Sequence, residues 1–402
     1  MRNIDAKKLN RMGYALFILT LTLTINCQSP SGTDIGANVT KIKDLIIYEN
    51  PQFYSAFPSV IKNETGEIMV AFRRAPDRKV FSEKGTSHVD PNSFLVLVRS
   101  GDNGMSWSED PELIHAHPFG GSQDPCLLKL RDGTILCTSY GWAFVRKEGM
   151  QNLKQPVSVA SERVVFLGGY YLRSSDMGNS WEGPFYPPNI PPEVKLSALG
   201  EPLPAYNRGA LWEGKDGRIL WVVAAANDRD NLRKTSNYLI ISEDKGLSWQ
   251  YSCPVADDDD AAFNETSIYE TPKGDLVAFI RTAGLEDQAC IARSTDGGNS
   301  FGPWRKMGFQ WHPLQAMRLP DNRVFLVYGY RHEPYGIRAR ILNAECTDYA
   351  TSEEIIIRED GGSGDLGYPW AVLLDETRVL VTYYFNIENG TRHIAGSILE
   401  ID

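Results

Sequence analysis

The sequence predicts an all-β fold, a six-bladed β-propeller over residues 40–402, from three observations. A hairpin unit of constant pattern occurs six times, a short turn motif occurs four times between those hairpins, and no long apolar stretch of helical period follows the N-terminal segment. A helix would show apolar residues at i, i+3, i+4 and i+7. A repeated unit of this kind buries its apolar face only against its neighbours, so the repeat count is a count of blades.

The hairpin unit is an apolar strand, a turn rich in Asp, Gly, Asn or Lys, and a second strongly apolar strand. Its copies are FPSVIKNETGEIMVAFRR (57–74), DPCLLKLRDGTILCTSYG (124–141), RGALWEGKDGRILWVVAA (208–225), ETSIYETPKGDLVAFIRT (265–282), HPLQAMRLPDNRVFLVYGYR (312–331) and YPWAVLLDETRVLVTYYF (368–385). The turn residues accept the backbone angles of a tight connection, and the β-branched and aromatic second limb suits a strand packed on both faces.

The turn motif reads SGDNGMSW (100–107), SSDMGNSW (174–181), SEDKGLSW (242–249) and STDGGNSF (294–301). In this Asp-box the carboxylate accepts backbone N–H groups of its own turn, Gly supplies a positive φ, and the aromatic packs beneath as a plug. Each copy follows an apolar strand (FLVLVRS, GYYLRS, NYLIIS, ACIARS), which places it between the third and fourth strands of a blade. The fifth and sixth blades lack it, and 342–347 reads as a degenerate copy. Closing six blades into a ring removes the exposed edges that so many strands would otherwise present.

Ahead of the propeller, Lys7, Lys8 and Arg11 precede an apolar run from Tyr14 to Ile25, then Asn26 and Cys27. A basic end, a core too short to span a bilayer and a processing site make an export signal over residues 1–27. The string LTINC resembles a bacterial lipoprotein box, which implies a lipidated Cys27 and an exported, cell-envelope protein (periplasmic or outer-membrane) that meets the membrane only through that anchor. An ordinary cleaved signal is the other reading. The polar stretch after it reads as a flexible tether over 28–39.

A formal net charge of −10 with no Lys or Arg block excludes a phosphate-backbone grip, so no nucleic-acid partner is expected. An acidic ligand must then be caught by arginines focused in a pocket. Beyond Cys27 stand Cys126, Cys137, Cys253, Cys290 and Cys346, too few for a disulfide scaffold and without metal-site spacing. Cys126 and Cys137 face each other across one hairpin as a disulfide or as two buried thiols. His88, His115, His117, His312 and His332 show no metal-ligand spacing, and Asp257–Asp260 reads as a solvated acidic loop or a calcium loop. No metal or cofactor is expected.

Chemistry belongs at the propeller mouth, where first strands begin and second strands end. First strands start at Ala56-Phe57, Asp124, Arg208, Glu265, His312 and Tyr368; second strands end at Arg73-Arg74, Tyr140, Arg281, Arg331 and Tyr383-Tyr384. A ring of arginine, carboxylate and phenol suits an anionic sugar.

Four Asp-boxes among six such hairpins resemble the sialidase (neuraminidase) superfamily over nearly the whole mature chain. The resemblance implies an exo-glycoside hydrolase acting on a terminal sialic or related ulosonic acid of a glycan. It carries a catalytic Tyr–Glu pair onto Tyr368 of GDLGYPW and Glu265 of FNETSIYE, a carboxylate-binding arginine onto Arg281 of LVAFIRT, and the acid/base Asp onto Asp90 of HVDPNSFLVLVRS. A sialic acid bears its carboxylate on the anomeric carbon, so a carboxylate nucleophile would be repelled and a neutral phenol is not; sialidases are the Tyr exception among glycosidases. A free phenol, with a pKa of about 10, needs a base to take its proton, which assigns Glu265. Asp90 would protonate the leaving oxygen and later activate water.

The resemblance also implies an arginine in an R-I-P triplet at the start of blade 1, where this chain has Ala56-Phe57-Pro58. Arg73 lies seven residues after turn glycine 66, as Arg281 lies seven after glycine 274, so Arg73, Arg281 and Arg331 form the expected clamp. Arg208, Arg74 and Arg338 stand in reserve, and Asp124 and His312 are further substrate contacts. Two rivals stay open. One is an exo-arabinanase-like propeller glycosidase using Asp90 or Asp124 with Glu265; the other is a non-catalytic glycan-binding lipoprotein.

Overall fold

The computed structural model describes residues 32–80, 88–161, 163–311, 313–388 and 390–402. Six antiparallel sheets follow one another along the chain as the six blades of the propeller. Blade 1 is Phe53–Lys62, Ile68–Pro76, Phe94–Ser100 and Glu112–His115; blade 4 is Ala262–Glu270, Leu276–Ala283, Gln288–Ser294 and Arg305–Gln310. Blade 6 takes Gly367–Leu373, Arg378–Phe385 and His393–Ile401 from the C-terminal end and completes itself with Val39–Tyr48 from the other end of the described chain. That pairing, in register from Val39↔Ile401 to Tyr48↔Ile394, closes the ring. The sheet also reaches into the segment read as tether, because Thr33–Asp34 pairs with Lys41 and Thr40. Residues 1–27, read as the export signal, lie outside the described residues.

Apolar side chains of the strands fill the spaces between consecutive blades. Met69, Leu97, Leu127, Cys137 and Tyr170 fill the space between blades 1 and 2, and Phe325, Val327, Ile337, Val381 and Tyr383 that between blades 5 and 6. Blade 3 departs from the expected hairpin: its first strand is only Trp212–Glu213. Upstream, the Asn207 side chain donates to the Val222 and Asn264 carbonyls (3.0 and 3.1 Å) where a ladder bond would stand.

All four Asp-boxes sit after the third strand of their blade, on the face opposite the mouth. In the first, Asp102 Oδ1 accepts the Ser106 N–H (2.9 Å), Ser100 Oγ accepts the Gly104 N–H (2.9 Å), and Asn103 and Gly104 both take positive φ. The degenerate copy keeps the geometry with an amide, since Asn343 Oδ1 accepts the Thr347 N–H (3.1 Å). Cys126 and Cys137 are buried free thiols. Cys126 lies opposite Thr138 and Cys137 opposite Leu127, so the two side chains leave opposite faces of the sheet.

Hydrogen bonds from the Ser106 side chain and backbone hold the Asp102 carboxyl at about 2, and Asp176 and Asp296 are held equally low by their own serines. A carboxyl depressed in the fold stabilises above its unfolded value and loses that contribution as pH falls through its folded value. Asp102→Ala is therefore expected to lower the melting temperature by a few degrees at neutral pH. The gap to the parent should narrow below about pH 4 and close near pH 2, the value of Asp102. A gap independent of pH in thermal melts would refute this.

Candidate active site

Three first strands carry a register shift at the mouth. The shifts fall between Ala56 and Ser59 in blade 1, Phe263 and Thr266 in blade 4, and Gly367 and Trp370 in blade 6. Each bulge frees a dipeptide from the ladder: Phe57-Pro58, Asn264-Glu265 and Tyr368-Pro369. A bulge re-aims side chains and tolerates a proline that cannot donate to the ladder. Phe57 and Tyr368 take left-handed backbone there, φ 59° and 53°. For residues other than glycine this costs of order 1–3 kcal/mol, which the surrounding packing must offset.

Tyr368, Glu265 and Arg281 form a closed triangle. The Tyr368 hydroxyl donates to Glu265 Oε1 (2.6 Å), and Arg281 Nη1 donates both to that hydroxyl (2.9 Å) and to Glu265 Oε2 (2.5 Å). Burial pushes the Glu265 carboxyl up, but the Arg281 and Arg208 guanidiniums and the Tyr368 hydroxyl outweigh it and hold it below its ordinary value. Burial and the Glu265 charge raise the Tyr368 phenol. The resting pair is thus a neutral phenol bonded to a charged carboxylate, with a cation bridging both.

Arg331 stands beside the triangle, its Cζ 5.2 Å from the centre of the Tyr368 ring. Nε donates to the Leu366 carbonyl (2.9 Å) and Nη2 to the Tyr384 hydroxyl (2.8 Å). Arg73 lies opposite Ala56 in the blade 1 ladder, fully buried near the Tyr54 and Phe57 rings. Arg74, its neighbour on the strand, leaves by the other face to stack on Phe53 and bond Tyr48, away from the cluster. Arg338 is also elsewhere, on the third strand of blade 5, where it bonds the Arg358 and Pro334 carbonyls. Arg208 lies against the Tyr368 ring, largely buried, and also lines the small recess beside Glu265. His312 lies outside the described residues.

Asp124 Oδ2 accepts the Tyr140 hydroxyl (2.9 Å), while its buried Oδ1 has no hydrogen-bond partner among the described residues. Burial and the nearby Glu265 charge raise this carboxyl. Asp90 is buried with both oxygens occupied: Oδ2 accepts Arg78 Nε (2.7 Å), and Oδ1 accepts Arg78 Nη2 (3.0 Å) and the Asn92 N–H (2.8 Å).

Sequence reasoning missed several neighbours. Arg78 carries only the weak signal of a basic residue just past a strand end. Asp365, three residues before Tyr368, accepts from Tyr54 (2.8 Å), Tyr384 (3.1 Å) and Arg392 (3.0 Å), and lies 3.7 Å from His88 Nδ1. It caps the side of the mouth where blade 1 lacks its arginine. Across the mouth a recess of about 150 Å³ opens beside Glu265, walled by Tyr140, Trp142, Phe166 and Tyr206. Lys195 fixes that wall from behind by donating to the Tyr206 hydroxyl (2.7 Å). A larger groove of about 580 Å³ lies by the blade 4 Asp-box, remote from this chemistry. The described residues hold no group of three or more His, Cys, Asp or Glu fit for a metal ion, and Asp257 instead accepts the Ser236 hydroxyl.

A family model described as a BNR repeat-like domain matches residues 143–381. A sialidase from Micromonospora viridifaciens is 24% identical over 297 residues, 71% of this chain and 40% of that protein, so the chain spans about two fifths of its relative's length. The crystal structure of a protein of unknown function from Dyadobacter fermentans is 67% identical with a TM-score of 0.89, over 91% of this chain and 100% of that one. Trypanosoma rangeli sialidase, solved with 2,3-difluorosialic acid as a covalent intermediate, has the same fold at 11% identity and a TM-score of 0.63, over 91% of this chain and 60% of that one. The chain belongs to the BNR repeat-like family, and its six blades, four of them with Asp-boxes, share the fold of the sialidase propellers.

Proposed function

We propose that the protein is a retaining exo-glycosidase that releases a terminal ulosonic acid, sialic acid or a close relative, from a glycan. The triangle of Tyr368, Glu265 and Arg281 carries this reading. It pairs a neutral nucleophile with an ionised base at hydrogen-bond distance (2.6 Å), the arrangement a phenol needs to attack. The Tyr368 oxygen bonds to the anomeric carbon while its proton passes to Glu265 and the glycosidic bond breaks. Asp90 first releases one of its Arg78 bonds and takes a proton from solvent, and then gives that proton to the departing oxygen. Water then attacks the same carbon, giving its proton to Asp90, as the Tyr368–carbon bond breaks and Glu265 returns its proton to the phenol, so configuration is retained.

Arg281, bonded to the Tyr368 hydroxyl, and Arg331, beside its ring, would hold the substrate carboxylate. Blade 1 has Ala56 where the resemblance expects an arginine, with Arg73 buried opposite it, and Asp365 brings a carboxylate to that side. A two-arginine clamp favours an acid anchored elsewhere on its ring, and Asp124 Oδ1, without a hydrogen-bond partner among the described residues, offers one acceptor for a sugar hydroxyl. The test is hydrolysis of aryl α-ketosides of N-acetylneuraminic, deaminated neuraminic and octulosonic acids by purified protein. Release from at least one of them is expected, with the product first appearing as the α-anomer by NMR. No release from any ketoside by folded protein would refute the reading and leave the glycan-binding alternative.

A further inference from the structure

We propose that Arg208 is a positioning residue for Tyr368, pinning its strained backbone and steadying the charge its ring gathers as the phenol proton leaves. This inference rests on the reading of Tyr368 as nucleophile. Arg208 begins blade 3, yet its side chain crosses the channel and is 1% exposed. Nη2 donates to the Pro58 carbonyl of blade 1 (3.1 Å) and to the Tyr368 carbonyl of blade 6 (3.4 Å), so one guanidinium ties three blades at the bulges that form the site. The second bond holds the peptide that carries the left-handed φ of Tyr368.

The same guanidinium lies against the ring itself, Cζ 4.5 Å from the Tyr368 centroid and 5.3 Å from that of Trp370. A cation on an aromatic face is drawn to the negative charge of the π-system. Charge grows on the Tyr368 ring as its proton moves to Glu265, so the attraction is greater in the transition state than at rest. Only interactions of that kind raise kcat. Arg208 is also costly to keep for packing alone. No ion pair reaches it among the described residues, and its buried Nε has no hydrogen-bond partner there. An apolar side chain of the same length would fill the volume without burying a charge.

The experiment uses purified protein, the best aryl ketoside of the panel above, and the variants Arg208→Met, Arg208→Lys and Tyr368→Phe. It adds 3,5-difluorotyrosine, a more acidic phenol, at position 368 in each Arg208 background. Arg208→Met is expected to lose about 100-fold in kcat with KM changed by less than about threefold. Arg208→Lys, which keeps a cation, should retain about a tenth of the parent rate, and the fluorinated phenol should restore a substantial part of the Met loss. A purely structural role would lower the Lys and Met variants alike and gain nothing from fluorination, which overturns the inference. Parent-like turnover by Arg208→Met alongside an inactive Tyr368→Phe overturns it too, while the nucleophile reading stands. Turnover by Tyr368→Phe removes both. Should Arg208→Met fail to fold, the response of Arg208→Lys to fluorination decides.

Discussion

Tyr368→Phe is expected to lose turnover by about 10³-fold or more while keeping its fold and its affinity for a non-hydrolysable acid analogue. Phenylalanine fills the same buried volume, keeps the ring against Arg208 and Arg331, and leaves Arg281 bonded to Glu265 at 2.5 Å. The substitution removes only the oxygen that meets Glu265 Oε1 at 2.6 Å. If that oxygen forms the glycosyl bond, no other group in the triangle can take its place. Glu265 is hydrogen-bonded and ion-paired, and as a second anion it would be repelled by a substrate carboxylate. Measurement of kcat and KM on the aryl ketoside, with a thermal melt beside it, checks the prediction. Near-parental turnover would refute the Tyr mechanism and favour two carboxylates, Asp90 or Asp124 with Glu265, as in an arabinanase-like propeller. Binding that persists with no turnover even in the parent protein would favour a lectin.

The positions that sequence reading assembled are those that repeat. Glu265 and Tyr368 stand at the starts of the first strands of blades 4 and 6, and Arg281 at the end of the second strand of blade 4, so the repeat pattern places all three at the mouth and the family resemblance assigns their roles. The Asp-boxes were legible for a similar reason, because their hydrogen bonds are local and close within four residues. What stayed hidden depends on long-range contacts from places with no repeat equivalent. Arg78 reaches Asp90 from a strand end, Asp365 gathers Tyr54, Tyr384 and Arg392 from blades 1 and 6, and Lys195 enters from an excursion between blades 2 and 3. Arg208 was legible as a mouth residue by position. Its direction was not, because blade 3 replaces a regular first strand with the Asn207 side-chain bonds, and the chain there follows no ladder.

Arg281→Met tests whether the base and the clamp are one device. In the parent, burial disfavours the Glu265 carboxylate, and Arg281 is the largest of the influences that reverse this and leave the group below its ordinary value. With that cation gone, a buried carboxylate remains beside a neutral phenol and a more distant Arg208. Burial should then prevail and the carboxyl should rise. The base would be protonated over more of the acid range, so the acid limb of kcat/KM should move up by about one pH unit or more, with a loss of about 10³-fold at neutral pH. Linkage gives the stability sign. A depressed Glu265 stabilises the parent above its unfolded value of about 4.3 and stops doing so as pH falls through the folded value. A raised Glu265 does the reverse, contributing stability below about 4.3 that is lost as pH climbs. The variant should therefore melt closest to the parent in acid and furthest from it at neutral pH. Arg281→Lys keeps a charge but not the fork that reaches two oxygens, so its limb should move less while much of the rate is still lost. A fall in activity with the acid limb unmoved would mean that Arg281 serves the substrate carboxylate alone and that Glu265 keeps its charge by other means.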